Sequence, residues 1–106
     1  MAYYSEQDAV NRALTDFSFS NISAPATTTV KTGAGVFKRL VFNKPVASGV
    51  ITIYDNTAAS GTKIATITEP ATLLAQGAFS TDYDLLFSTG LTVVTSAADD
   101  ITIVYK

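Results

Sequence analysis

From Phe17 to the C-terminus, turn signals interrupt the chain roughly every 8 to 12 residues, the rhythm of a sandwich or barrel. They fall at Pro25, at Gly33-Ala34-Gly35, at Lys44-Pro45, at Ser48-Gly49, at Asp55-Asn56, at Gly61, at Glu69-Pro70, at Ser88-Thr89-Gly90 and in the Ala97-Ala98-Asp99-Asp100 run. Between them lie short runs of Val, Ile, Thr, Phe and Tyr, residues whose branched or planar side chains suit a pleated surface. No interval leaves room for the crossover helix that parallel strands need. The pattern predicts an all-β antiparallel sandwich, of jelly-roll or immunoglobulin-like type, with about 7 to 8 strands.

Strands are expected at 17–20, 26–32, 36–43, 50–54, 62–68, 79–87, 91–95 and 101–105, while 71–76 fits neither a helix nor a strand cleanly. Alternate side chains on a strand face opposite ways. The expected core is therefore Leu40, Phe42, Ile51, Ile53, Ile64, Ile67, Leu85, Phe87, Leu91, Val93, Ile101 and Ile103. The 36–43 run resists this reading. Strict alternation puts Lys38 on the face of Leu40 and Phe42, and Arg39 on the face of Phe37 and Val41. Either a bulge sits near Lys38-Arg39, or both faces meet protein and one cation lies at a contact.

Residues 1–16 read differently from the sandwich domain at 17–106. Ser5 is a possible N-cap, Glu6 and Asp8 fall in a first turn, and Ala9, Val10, Ala13 and Leu14 make an apolar stripe. This predicts a short helix or arm of marginal stability by itself. With Tyr3 and Tyr4 ahead of it, the segment suits packing on a neighbouring subunit.

Composition removes several kinds of chemistry. The 106 residues include no Cys and no His, so disulfides, thiolate nucleophiles, Ser-His-Asp arrangements and most zinc sites cannot be built from this chain. Net charge is −2 and only 15% of residues are charged, against about 25% in typical soluble domains. A Thr-, Ala- and Ser-rich exterior suits a protein that lies against other protein. With no basic stripe to neutralise phosphates, nucleic acid is not an expected partner. The N-terminus shows no signal-peptide pattern, and no run approaches the ~20 apolar residues that span a bilayer, so no membrane association is expected.

Each candidate site has a plainer reading beside it. Asp82 and Asp84 would lie about 6–7 Å apart on one strand face, loosely the spacing of an inverting glycosidase, but they read better as the strand's solvated side. Asp55-Asn56 and Asp99-Asp100 offer oxygens for a calcium ion, yet Asp and Asn are ordinary turn residues. Gly33-Ala34-Gly35 precedes no helix and is not a phosphate loop. Tyr54 with Tyr3 and Tyr4 could stack on a sugar, whereas Tyr83 and Tyr105 read as core or rim. No catalytic, cofactor or metal residue is assigned, and an enzyme is not expected. Residues 1–53 carry a net charge of +2 (Arg12, Lys31, Lys38, Arg39 and Lys44 against Glu6, Asp8 and Asp16), and residues 54–106 a net of −4. Segregated in space, the halves would favour head-to-tail contacts around a ring; interleaved, they would cancel.

The runs GVITIYDNTAASGTKIATI and YDLLFSTGLTVVTSAADDITIVYK resemble small β-sandwich virion proteins of tailed bacteriophages. The matching features are Tyr54 to Thr57, Gly61 to Ala65, Ser88 to Leu91 and Asp100 to Tyr105, and the resemblance covers roughly Gly35 to Lys106. It implies a structural particle protein, made in the host cytoplasm and carried on the capsid surface. The particular expectation is a head decoration or cement protein, a homotrimer that binds the major capsid protein and stabilises the shell by binding only its assembled form. The contact residues expected are Tyr3, Tyr4, Val10, Leu14, Lys38, Arg39 and Tyr54. A glycan- or receptor-binding module of a fibre, or a neck or tail component, is the alternative.

Overall fold

The computed structural model describes residues 16–73 and 77–106, and the helix expected near the N-terminus lies outside them. Eight strands follow in order: β1 (Ser18–Ile22), β2 (Ala26–Thr32), β3 (Gly35–Lys44), β4 (Val50–Asp55), β5 (Thr62–Thr68), β6 (Phe79–Phe87), β7 (Gly90–Thr95) and β8 (Asp100–Tyr105). Each coincides with an expected run to within two residues. Among the described residues there is no helix, hence none long and apolar enough to cross a membrane.

The strands form two four-stranded antiparallel sheets, sheet A in the order β1-β8-β3-β6 and sheet B in the order β2-β7-β4-β5. The pairs are nested, β4 with β5, β3 with β6, β2 with β7 and β1 with β8. Such a ribbon, folded over so that its pairs alternate between two sheets, is a jelly roll. Each sheet takes two strands from each half of the chain. The charges of the halves therefore mix rather than segregate, and ion pairs join Lys38 to Asp84 and Arg39 to Asp82.

Inward faces of both sheets build the core from Ile22, Phe37, Leu40, Phe42, Ile51, Ile53, Phe87, Leu91, Val93, Ile101 and Ile103. Ile64, Ile67, Tyr83, Leu85 and Tyr105 are half-buried against it. Stacked rings widen the core under β6, Phe37 on Tyr83 and Phe42 on Phe79, each pair with centroids 4.7 Å apart. Burial raises the Tyr83 phenol above its usual pKa.

The ambiguity of the 36–43 run resolves as a bulge. The pairing of β3 slips between Phe37 and Arg39 against both β6 and β8. One unpaired residue lets Phe37 and Leu40, three apart, both point inward. On β6 the compensating irregularity is Asp84, which takes the left-handed conformation with φ of 50°.

Candidate partner-facing surface

The two ends of the sandwich carry different loops. Gly33, the β6–β7 turn at Ser88-Thr89, and Lys106 gather at one end, together with the turn that follows β4. The 45–49 turn, Glu69-Pro70 and the 96–99 loop gather at the other.

At the first end, the outer face of sheet A carries an apolar patch. Val36 and Lys106 exchange backbone hydrogen bonds of 2.9 Å, and Val36 pairs with Leu86 across to β6. The Lys106 ammonium lies 5.9 Å over the Phe17 ring. In the next row Phe19 pairs with Val104, Val104 with Arg39, and Arg39 with Asp82. Phe19 is 75% exposed and Leu86 80% exposed, an unusual state for two large apolar side chains in so small a domain. Beside Leu86 a groove of about 570 Å³ opens between Gly35, Val36, Leu86 and Phe87, with Asp55 and Ser88 on its rim.

Charge frames the patch. Lys38 pairs with Asp84, and Arg39 Nε lies 3.5 Å from Asp82 Oδ1, without the alignment of a hydrogen bond. Both cations thus sit on β3 beside an apolar surface, with their pairs partly solvated, so they shape the patch more than they stabilise it. Toward the other end the same face turns polar. Asn21 donates to Asp100 Oδ1 (2.7 Å) and the Ile101 carbonyl (2.9 Å), while Asn43 donates to Asp100 Oδ1 (3.2 Å) and Thr102 Oγ1 (3.0 Å).

The rim of the groove is rigidly held. Asp55 accepts backbone N–H groups from Ser88 (3.0 Å), Thr89 (2.9 Å) and Gly90 (3.4 Å), plus the Ser88 hydroxyl (3.2 Å). Those donors, Ser88 and Thr89 foremost, favour the charged carboxylate and hold its pKa below the ordinary 3.8 against the opposing effect of desolvation. Asp55 therefore staples the β6–β7 turn to the end of β4.

Sheet B presents a contrasting outer face of Thr27, Thr29, Thr52, Thr66 and Thr68. Tyr54 lies there, in register with Thr92 and Lys63, and is half-buried. The turn after β4 folds back over this face, where Thr92 donates to the Asn56 carbonyl (2.7 Å) and Thr29 to that of Thr57 (3.1 Å).

Of the contact residues read from the sequence, Lys38 and Arg39 share the patch on sheet A, and Tyr54 is on the opposite side of the sandwich. Tyr3, Tyr4, Val10 and Leu14 lie outside the described residues. Asp82 and Asp84 each face a cation across a bulge rather than one another across a cleft. Phe19, Leu86, Val36 and Val104 were not singled out by sequence. A signal existed for Leu86: adjacent Leu85-Leu86 on one strand must send one leucine to each face. No family model matches this chain, and neither a curated protein nor a solved structure matches it.

Proposed function

We propose that this chain is a structural virion protein of a tailed phage, a decoration or cement protein that binds the major capsid protein on the outer head shell as a homotrimer. The observation that carries the reading is the exposure of Phe19 and Leu86 on the two edge strands of sheet A, with Val104, Val36, Lys38 and Arg39 on the strands between them, on a weakly charged domain. Such a patch gains by being covered, and its charged frame gives the contact orientation. The jelly-roll order supports the reading without deciding it, because viral capsid domains and lectins both use it. The N-terminal segment, with Tyr3, Tyr4, Val10 and Leu14, is the second contact in this proposal.

Cryo-electron microscopy of the phage particle encoded beside this gene tests the proposal. Density for the sandwich at capsomer junctions on the outer shell, with the Phe19–Leu86 face buried, is the expected result. A position at the neck or tail would keep the structural role and change the address, and absence from the particle would overturn the proposal. Leu86→Glu supplies a second test: the folded variant should lose binding to undecorated heads, while Tyr54→Ala on the opposite face keeps it.

A further inference from the structure

The end of the sandwich away from the patch holds two buried carboxyl groups in one place. Glu69 is 5% exposed and Asp99 fully buried. They come from the segment after β5 and the loop before β8, and they close around the 45–49 turn. Val46 N–H donates to Asp99 Oδ2 at 3.1 Å and, more weakly, to Glu69 Oε2 at 3.4 Å. Glu69 Oε1 and Asp99 Oδ1 have no donor among the described residues, and the two carboxyl groups converge on the one Val46 N–H. Gly49 is packed so closely that a Cβ there would fall 2.4 Å from Glu69 Oε2 and 2.8 Å from Asp99 Oδ1.

Two facing carboxyl groups that both ionise would repel in a poorly solvated site, so something positive must lie between them. A calcium ion takes 6–8 oxygens, whereas the surroundings here supply two carboxyl groups and aim an N–H inward. Among the described residues no group of three His, Cys, Asp or Glu side chains could hold a metal. One shared proton satisfies the geometry: it turns one carboxyl into a donor and leaves the other to accept it and the Val46 N–H.

We propose that Glu69 and Asp99 form a proton-operated latch that clamps the 45–49 turn to the end of both sheets and loosens when the shared proton is lost. The clamp has a local backbone readout, because the same turn is tied by Ser48 N–H to the Pro70 carbonyl (3.0 Å), by Glu69 N–H to the Gly49 carbonyl (2.8 Å) and by Val50 N–H to Ser96 Oγ (2.8 Å). The turn, the start of β4 and Pro70 contribute no other titratable side chain. Lys44 ends β3 exposed to solvent, and Asp100 points to Asn21 and Asn43, so the charges flanking the pair have their own surroundings. Burial first, then the hydrogen bond and charge of Asp99, raise Glu69 to about 7. The latch is thus closed in mild acid and opens through neutrality, and it operates whatever the protein binds.

Amide hydrogen exchange on the full chain at pH 5 and pH 8, corrected for the intrinsic pH dependence of exchange, tests this. Protection of Val46, Ser48 and Glu69 should fall by roughly tenfold or more at pH 8, one pKa unit being a tenfold shift in the proton equilibrium. Ile101 and Ile103 in the core should keep theirs, and Glu69→Gln, which keeps its shape but cannot ionise, should abolish the change. Equal protection at both pH values, or an unaltered pH response in Glu69→Gln, would overturn the latch. A carboxyl-carbon NMR titration of the wild-type protein decides the matter without a variant: a midpoint near 7 supports the shared proton, and ordinary acidic midpoints for both groups remove it.

Discussion

At one end of the sandwich the Asp55 carboxylate collects three backbone N–H groups; at the other, Glu69 and Asp99 have one N–H between them. The chemical group is the same, and its surroundings decide its state. Asp55 is stapled to a turn that aims its donors outward, so its charge is welcome and its pKa falls. Glu69 is buried beside another acid, so its charge is unwelcome and its pKa rises. A carboxyl group in a small β domain can thus fasten a loop either as an anion or as an acid, and the number of available donors selects between them.

The largest expected effect comes from breaking the acid pair. Asp99→Ala takes the better acceptor from the buried Val46 N–H, leaving it only the longer contact to Glu69, and deprives Glu69 of its neighbouring acid, which should cost about 3 kcal/mol in urea denaturation at pH 5, where the latch is closed. Asp55→Ala, whose orphaned donors lie nearer water, should cost clearly less, and equal losses would show that burial does not separate the two ends. Gly49→Ala comes next. Its Cβ must displace both carboxyl groups, and a loss of about 2 kcal/mol is expected from the same measurement.

Opposite pH dependences sharpen the comparison further. The lowered pKa of Asp55 means that its contribution is present above 3.8 and is lost as pH falls through its folded value. Asp55→Asn should therefore melt below the wild type at pH 7, with the gap closing in strong acid. The raised pKa of Glu69 acts the other way: its contribution is whole below 4.5 and is lost as pH rises toward about 7. Thermal melts of the wild type across that window should fall with pH, and those of Glu69→Gln should not share the decline. The smallest effect belongs to Ser48, held at φ of 60° in the clamped turn, where Ser48→Gly should stabilise by about 0.5 kcal/mol in urea melts.

The strands were legible because their information is local. Alternation and turn residues mark each run, so the eight strands and most of the core follow from neighbours in sequence. Phe37 escaped the expected core because a single bulge reverses the face of every residue on one side of it, and Ile22 because β1 runs past Ser20. Strand order was not legible, since a jelly roll joins residues as distant as Ser18 and Tyr105. The acid pair was invisible for a related reason. Asp99 stands next to Asp100 in an ordinary turn run and Glu69 stands before a proline, and nothing local says that one aspartate turns inward to meet a glutamate thirty residues earlier. Lys38 and Arg39 drew notice through the broken alternation that the bulge explains. The patch beside them needed the sheet order to assemble it.

The nested ribbon also prescribes a history for the chain. Among the described strands only β4 and β5 are both consecutive in sequence and paired, so of these ladders theirs is the one that a short loop closure can start. Every later pair encloses the one before it, and β1 reaches β8 only after almost the whole domain has been wound up. Contacts this remote in sequence place the protein among the slower folders, on the millisecond-to-second scale of all-β domains. The first strand is then the last to be secured. While it is absent, β8 is an open sheet edge with unpaired backbone groups, the stretch through which an unfinished molecule would meet another of its kind.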